Sequence, residues 1–329
     1  MHTVQTDAIF TLSTETEFNN LALSVFQFQY QNNKVYRAFA QSLRTYPETV
    51  KHYSQIPFLP IELFKSQDVL CNEKKDDFIV FTSSSTTSQT PSRHIVSDIS
   101  IYEQSFIKGF ENAYGKPSDY VILALLPNYL ERKGSSLVYM FDKLIKLSNN
   151  PLSGFFLDDY DKLISVLQAL KQSNTKTLLI GVTYALLDLA DKGISLNDNF
   201  TVMETGGMKG RREELLKEEL HQILKQKLSV STIHSEYGMT ELLSQAYSKG
   251  NGIFDCQPWM KILVRDIDDP LSYVKENKTG GINVIDLANV NSCSFIATQD
   301  LGRIKGDGTF EIMGRFDNSD VRGCNLMVN

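Results

Sequence analysis

The sequence predicts an α/β fold in which mostly parallel sheets are flanked by helices, with a helical N-terminal segment and a small β-rich C-terminal part. Short apolar runs alternate with amphipathic segments through the middle of the 329-residue chain. This alternation of strand and helix is typical of a parallel sheet covered on both faces. In the last quarter, Gly, Asp and Asn turns separate the apolar runs, which favours antiparallel strands. Hydrophobic residues make up 42% of the chain, enough for a large core.

The chain divides into three predicted regions. Residues 1–60 are predicted to be a helical segment, because apolar side chains recur at helical spacing from Phe18 onward. Residues 61–255 are predicted to be the α/β core. Residues 256–329 are predicted to be the small β-rich part.

Each predicted element follows from hydrophobic periodicity and from the turn residues that flank it. The predicted core strands are 78–82, 120–126, 154–157, 177–181 and 201–205, with a further strand-like stretch at 231–233. The predicted core helices are 99–113, 136–147, 159–171, 184–191 and 211–227. The predicted strands of the β-rich part are 261–264, 281–285 and 309–313.

Charge and hydropathy exclude several classes of protein. The chain has 33 Lys and Arg against 39 Asp and Glu, a net charge of −6. Since it also has no dense basic run, we expect no nucleic-acid partner. The longest apolar run, 121–126, is too short to span a membrane, and residues 1–10 do not resemble a signal peptide. Four widely separated cysteines without a CxxC pair indicate reduced thiols and a cytoplasmic location. These are Cys71, Cys256, Cys293 and Cys324.

The first candidate binding segment is a hydroxyl-rich loop, residues 82–94, that directly follows a predicted strand. Its backbone N–H and side-chain O–H groups are suited to a polyphosphate, and Arg93 adds positive charge. A Ser/Thr loop without a ligand is the alternative, since the segment lacks the GxxxxGK[ST] pattern of a P-loop. The candidate residues are Ser83, Ser84, Ser85, Thr86 and Thr87.

The second candidate segment has three glycines within residues 203–210, at the carboxyl end of a predicted strand. Glycine allows a flat ring to approach the backbone closely. Gly206, Gly207 and the adjoining Met208 are therefore candidates for a nucleotide contact. A tight turn between a strand and a helix is the alternative interpretation.

The third candidate segment is the stretch 234–241, which contains Tyr237, Gly238, Thr240 and Glu241. A tyrosine can stack on an aromatic base, a threonine can bind a phosphate, and a carboxylate can hold Mg²⁺. His234, at the start of the stretch, has the alternative interpretation of a structural histidine.

The fourth candidate segment joins residues 298–303 to residues 314–317 and contains Asp300 and Arg315. An aspartate in a turn can accept two hydrogen bonds from a ribose diol, and an arginine can support it. Taken alone, this pattern is a weak signal.

In this order, the four segments resemble the adenylate-forming superfamily of acyl-CoA synthetases, adenylation domains and firefly luciferase. The resemblance covers about residues 78–317 and implies ATP and Mg²⁺ as cofactors. It assigns residues 83–87 to the β- and γ-phosphates, Thr240 to the α-phosphate and Glu241 to Mg²⁺. It assigns Tyr237, Gly238, Gly206, Gly207 and Met208 to the AMP moiety, and Asp300 with Arg315 to the ribose.

Two further stretches, residues 126–140 and 206–210, resemble the branch that holds phenylacetate-CoA ligase and the acyl-protein synthetase of bacterial luminescence. That branch implies ATP-dependent activation of a carboxylic, and more narrowly a fatty, acid to acyl-AMP with release of pyrophosphate. The acyl group then passes to a cysteine near the chain end, for which Cys324 is the candidate, and on to a partner reductase or carrier. The acid is expected near residues 129–139.

Two departures from the superfamily pattern keep alternatives open. Ser85 and Ser88 stand where glycines are usual, which costs about 1 kcal/mol if either position needs φ > 0. The chain also ends at Asn329, just after the segment that is a hinge in most members, and we expect it to lack their mobile C-terminal domain with its catalytic lysine. That end favours the acyl-protein synthetase branch. The alternatives are an acyl-CoA ligase that needs a partner chain and a non-catalytic nucleotide- or acyl-binding module.

Overall fold

One mixed β-sheet organises the computed structural model, which describes residues 4–73, 75, 77–83, 90–127, 134–157, 159–206 and 215–316. The helices are Thr6–Ile9 (α1), Glu15–Asn32 (α2), Lys34–Ser42 (α3), Leu63–Ser66 (α4), Ile99–Tyr114 (α5), Ser136–Ser148 (α6), Tyr160–Lys171 (α7), Thr183–Ala190 (α8) and Lys217–Leu228 (α9). The strands are Leu59–Pro60 (β1), Ile79–Thr82 (β2), Arg93–Val96 (β3), Val121–Leu125 (β4), Gly154–Phe155 (β5), Thr177–Val182 (β6), Phe200–Thr205 (β7), Ile233–Tyr237 (β8), Ala246–Ser248 (β9), Ile253–Asp255 (β10), Met260–Arg265 (β11), Gly280–Asp286 (β12), Phe295–Ile304 (β13) and Phe310–Arg315 (β14).

The sheet has a parallel half and an antiparallel half. In the described residues, its strand order is β11-β12-β13-β14-β10-β9-β8-β7-β6-β4-β5, with β1 pairing β13 as a twelfth strand. Strands β4 to β8 pair in parallel. Strands β9 to β14 pair antiparallel with their neighbours in this order, and only the short β1 pairs in parallel with β13 in this half. The α/β class predicted from the sequence is confirmed, and the C-terminal strands extend the same sheet.

The parallel half is buried on both faces. All residues of β4 and β6 are buried, as expected for strands covered by crossover helices. Helices α6, α8 and α9 contact β4, β6 and β8 respectively. Within the described ranges, no helix is both long and apolar enough to cross a membrane.

The N-terminal helices pack on the antiparallel half. Helix α2 begins with a capping box, in which Thr14 accepts from the Glu17 N–H and Glu17 accepts from the Thr14 N–H. Its inner face buries Phe26, whose ring meets that of Phe295 edge-on at 6.3 Å. The fully buried Gln29 donates to carbonyls of the turn that follows β12. The N-terminal helices are therefore fixed to strands of the β-rich C-terminal part.

Two local predictions differ from the structure. The run at 78–82 does not join the parallel sheet, because β2 pairs antiparallel with β3 in a separate two-stranded sheet. The strand-like stretch at 231–233 lies at Ile233–Tyr237 instead. Three consecutive polar residues of β8, of which Ser235 and Glu236 are buried, separate Ile233 from Tyr237, so this strand has no continuous apolar run that could mark its extent. Tyr237 is consequently the last residue of a strand.

Candidate active site

The candidate site lies at the carboxyl ends of β7 and β8. Thr205 and Glu236 are partners in the parallel register, so the next residues, Gly206 and Tyr237, follow them side by side. Gly206 has a φ of +70°, in the left-handed region that favours glycine, and its carbonyl accepts a hydrogen bond from Thr183 Oγ1 at 2.9 Å. Two segments that the sequence predicts to bind the nucleotide are therefore neighbours. The carboxyl edge of a parallel sheet is also where α/β proteins bind their ligands.

A hydrogen-bonded cluster of Tyr237, Asp300 and Arg315 occupies the antiparallel side of this edge. The Tyr237 hydroxyl donates to Asp300 Oδ2 at 2.9 Å, and Arg315 Nε donates to Asp300 Oδ1 at 2.9 Å. Asp300 and Arg315 are cross-strand partners in β13 and β14. Burial, together with the nearby Asp300 carboxylate, raises the pKa of Tyr237 well above its usual value. Asp300 and Tyr237 are buried, whereas 73% of the Arg315 side chain is exposed.

Glu241 is hydrogen-bonded to the base of the predicted phosphate loop and feels the charge of Arg315. Its side chain is hydrogen-bonded to Ser92, and burial raises its carboxyl pKa, while the charge of Arg315 opposes that rise. Ser92 is also paired with Ser83 across the base of the loop, through Ser83 N–H to the Ser92 carbonyl at 3.1 Å and Ser92 N–H to Ser83 Oγ at 2.9 Å. The described part of the phosphate loop therefore meets the proposed metal ligand.

Thr240 precedes Glu241 and is partly exposed. Its carbonyl oxygen contacts Nδ1 of the buried His94 at 2.8 Å. Because a carbonyl only accepts, Nδ1 carries the proton. Burial lowers the His94 pKa to about 4, so the ring is neutral near pH 7. His94 lies in β3, a strand that the sequence analysis places within the loop region.

Several predicted site residues lie outside the described residues. Ser83, Gly206, Tyr237, Gly238, Thr240, Glu241, Asp300 and Arg315 are described. Ser84, Ser85, Thr86, Thr87, Gly207, Met208 and Cys324 are not. Arg93, expected to add charge to the phosphate loop, lies in β3 and forms an ion pair with Asp68. Among the described residues, Glu241 is hydrogen-bonded to Ser92 at the base of the loop, and the charge of Arg315 acts on Glu241.

The described residues are compatible with a magnesium ion held mainly by a nucleotide. Among them, no group of three or more His, Cys, Asp and Glu side chains could hold a metal on its own. Mg²⁺ is commonly held by one or two carboxylates together with substrate phosphates. Glu241, a buried carboxylate beside the base of the phosphate loop, has the right chemistry for a single protein ligand of this kind.

Two buried carboxyl groups in β7 and β8 escaped the sequence analysis. Glu204 accepts from Lys217 Nζ at 2.8 Å and Ser235 Oγ at 2.6 Å. Burial alone would raise its pKa, but hydrogen bonds and the Lys217 charge hold it at about 2. Glu236 accepts from Thr205 Oγ1 at 2.5 Å, and burial, followed by the Glu204 charge, raises its pKa to about 7. A Cβ atom at Gly238 would overlap Oε1 of Glu236, which explains the glycine there.

Replacing Tyr237 with Phe should weaken the cluster without creating a cavity in the core. The variant keeps the ring and leaves Asp300 Oδ2 without its donor. We expect a loss of about 1–3 kcal/mol in the free energy of unfolding, measured with urea. The matched variant Tyr36→Phe removes the hydroxyl of another buried tyrosine, which donates to the Pro57 carbonyl. It should cost similar stability but leave the affinity for ATP unchanged, whereas Tyr237→Phe should lower that affinity. Equal ATP affinities in both variants would contradict the assignment.

Replacing Glu236 with Gln should change the pH dependence of stability. Folded Glu236 keeps its proton up to about pH 7, whereas the unfolded side chain loses it near its ordinary pKa of 4.5. The native carboxyl therefore lowers stability progressively as pH rises through this range. From pH 5 to pH 8, the variant should gain about 2 kcal/mol relative to the native protein in urea unfolding. Glu15→Gln, at a carboxyl whose pKa is lowered, should show no such gain, and a flat difference for Glu236→Gln would refute the assignment.

Comparison with solved structures identifies the class of fold. ATP-bound MatB from Rhodopseudomonas palustris matches with a TM-score of 0.54 and 17% identity, over 72% of this chain and 47% of that one. An open form of 2-hydroxyisobutyryl-CoA ligase, in complex with 2-HIB-AMP and CoA, matches with a TM-score of 0.67 and 12% identity, over 92% of this chain and 75% of that one. At these identities the likeness concerns the fold, which is that of adenylate-forming enzymes. The chain spans about half the length of MatB.

The family follows from a separate comparison. A family model described as acyl-protein synthetase, LuxE, matches residues 8–329, and the chain belongs to that family. A search of curated proteins found no match. The resemblance read from the sequence motifs is therefore confirmed at the level of superfamily and branch.

Proposed function

We propose that the protein is a ligase that activates a carboxylic acid with ATP, forming an acyl-adenylate and releasing pyrophosphate. The observation that carries the proposal is the cluster of Tyr237, Asp300 and Arg315. The charge of Arg315 also acts on Glu241, which is hydrogen-bonded to Ser92 at the base of the Ser/Thr loop. These residues supply a carboxylate suited to a ribose diol, an aromatic ring and a second buried carboxylate suited to a metal ion. Membership of the acyl-protein synthetase family supports the same reaction.

In this reaction, a carboxylate oxygen of the acid attacks the α-phosphorus of ATP and pyrophosphate leaves. The chemistry depends mainly on positioning and charge neutralisation. Asp300, held by Arg315, accepts from the ribose hydroxyls, and Tyr237 with Gly206 and Gly238 borders the adenine. Residues 83–87 donate to the β- and γ-phosphates.

The α-phosphate lies near Thr240 in this proposal. Glu241 is the protein ligand of a Mg²⁺ ion that, when bound, neutralises phosphate charge. The side chain of Arg315 is largely exposed, and its guanidinium supplies a second positive charge beside the nucleotide.

The second half of the proposed reaction transfers the acyl group to a protein thiol. The acid is proposed to be a fatty acid, and Cys324 is the proposed acceptor, before transfer to a partner reductase or carrier protein. A thiolate attacks the carbonyl carbon of acyl-AMP, and AMP leaves with the bridging oxygen. Free CoA is the competing acceptor, since the structural neighbours include CoA ligases.

Replacing Cys324 with Ser should separate the two halves of the reaction. We expect radiolabelled fatty acid and ATP to label the native protein, and hydroxylamine to remove the label, as for a thioester. Cys324→Ser should lose the label but keep pyrophosphate exchange, because adenylation does not use the thiol. Cys256→Ser is the matched control and should keep both. Label that persists in Cys324→Ser would refute this acceptor.

The proposed function as a whole is tested by acid-dependent exchange of labelled pyrophosphate into ATP. A panel of carboxylic acids, from short chains to fatty acids, should contain at least one that drives exchange. Thioester formation on adding CoA would favour the CoA-ligase alternative. ATP binding without exchange for any acid would favour a non-catalytic nucleotide-binding module and contradict the proposal.

A further inference from the structure

The loop that carries Thr240 and Glu241 is held by buried side chains from distant parts of the chain. Residues 240–244, called here the carboxylate loop, lie between β8 and β9. Three side chains, His94, Asp286 and Asn289, bond its main-chain groups, and all three are fully buried. None of them belongs to the nucleotide contacts proposed above.

Asp286 makes the most extensive of these contacts. Its Oδ2 atom accepts from the N–H groups of Leu243 at 2.8 Å and Ser244 at 2.9 Å. Its Oδ1 atom accepts from Ser244 Oγ at 2.6 Å and from the Ala288 N–H at 3.1 Å. One carboxylate at the end of β12 thus holds two consecutive peptide groups of the carboxylate loop and the turn that follows its own strand.

His94 and Asn289 hold the other end of the loop. His94 Nδ1 donates to the Thr240 carbonyl at 2.8 Å, and Asn289 Nδ2 donates to the Glu241 carbonyl at 2.7 Å. His94 Nε2 and Asn289 Oδ1 have no hydrogen-bond partner among the described residues. Each side chain therefore donates a hydrogen bond to the loop. Its other polar atom is buried without a partner, which lowers the stability of the fold.

A buried carboxylate stabilises a fold little compared with well-packed apolar residues, but it strongly selects one arrangement of the donors around it. Catalytic groups need such selection, because a misplacement of about 1 Å can cost about a hundredfold in rate. We propose that Asp286, with His94 and Asn289, positions the carboxylate loop so that Glu241 and Thr240 face the nucleotide phosphates. This role rests on the proposed function, since it assigns a task to the same site.

The test compares three variants by steady-state kinetics of adenylation. Asp286→Asn keeps the shape but cannot accept from all four donors. His94→Phe keeps a ring against Phe64, removes the contact to Thr240 and also removes the unpartnered Nε2 atom. The matched control is Asn33→Ala, since Asn33 is equally buried and bonds Tyr36 N–H and the Ser292 carbonyl, outside the loop.

A positioning role predicts that kcat falls while the KM for ATP changes little. Asp286→Asn should lower kcat at least about tenfold and His94→Phe about fivefold, with the KM for ATP within about twofold, because the ribose contacts are unaffected. Asn33→Ala should lower the melting temperature and leave kcat unchanged. Equal kcat values in all variants would overturn the proposal, as would losses of kcat that merely follow losses of stability. If Asp286→Asn does not fold, His94→Phe decides the outcome.

Two measurements keep this inference separate from the proposed function. Hydrogen exchange of the peptide covering residues 240–244 should become about tenfold faster or more in Asp286→Asn and His94→Phe, but not in Asn33→Ala. Titration with ATP should show that both loop variants reach the native affinity at the saturating Mg²⁺ concentration of the kinetic assay but need more Mg²⁺ to do so. If no acid drives exchange in the native protein, these results alone would support positioning of a metal-nucleotide site. Unchanged hydrogen exchange and unchanged Mg²⁺ dependence would overturn it.

Discussion

Replacing Glu241 with Gln is expected to reduce pyrophosphate exchange by about a hundredfold or more, since metal neutralisation of phosphate charge contributes several kcal/mol in such reactions. The amide keeps the size of the side chain and its contact with Ser92, but it is a poor ligand for Mg²⁺. Burial already favours the neutral carboxyl at this position, so that a neutral amide should cost little stability. The measurement is exchange at saturating ATP over a range of Mg²⁺ concentrations, together with thermal unfolding.

The matched control for Glu241→Gln is Glu15→Gln. Glu15 is a hydrogen-bonded carboxylate at the start of α2, with partners Tyr53 and Lys261. This variant should keep full exchange and the native dependence on Mg²⁺. If Glu241→Gln also kept full exchange, Glu241 would not be the metal ligand.

Replacing Asp300 with Asn should raise the KM for ATP by about tenfold or more, because a hydrogen bond to a charged group contributes about 1.5–3 kcal/mol. The carboxylate accepts from Tyr237 and Arg315 in the structure, and the proposed ribose contact exists in both the ground state and the transition state. The kcat should therefore change less than the KM. Steady-state exchange kinetics at varied ATP concentration measure both parameters.

The same β13–β14 hairpin supplies the matched control for this variant. Asp307 lies in its turn and accepts from the N–H and Oγ1 of Thr309. Asp307→Asn removes a charge from the same hairpin, away from the cluster, and should leave the KM unchanged. An unchanged KM in Asp300→Asn would move the ribose site elsewhere.

The parts of the fold that could be predicted are those where burial produces a continuous signal. The sequence predicts strand β4 at 120–126, and the strand lies at Val121–Leu125 with every residue buried. Helix α5 starts at Ile99 in both, since Asp98 provides an N-cap that accepts from the Ser100 N–H. The ends of β8 and the existence of β3 were not predictable, because polar side chains buried by tertiary contacts interrupt their apolar pattern.

The candidate site likewise has a part that the sequence predicts and a part that it does not. Asp300 and Arg315 are predicted as partners from their motifs, and they lie opposite each other in adjacent strands, although their role toward ribose stays a prediction. The groups that hold the carboxylate loop carry no local signal. Asp286 is 42 residues from Ser244, and His94 is 146 residues from Thr240. Only the folded chain brings these pairs together.

The most direct test of the claim that the protein forms an acyl-adenylate is to follow an oxygen atom from the acid into AMP. The native protein is incubated with ATP, Mg²⁺ and a carboxylic acid labelled with ¹⁸O in both carboxyl oxygens, and the AMP released on acyl transfer is analysed by mass spectrometry. If the carboxylate attacks the α-phosphorus, one labelled oxygen bridges the acyl-adenylate and remains on the AMP phosphate. The account predicts singly labelled AMP. Unlabelled AMP, or ADP as the nucleotide product, would contradict it.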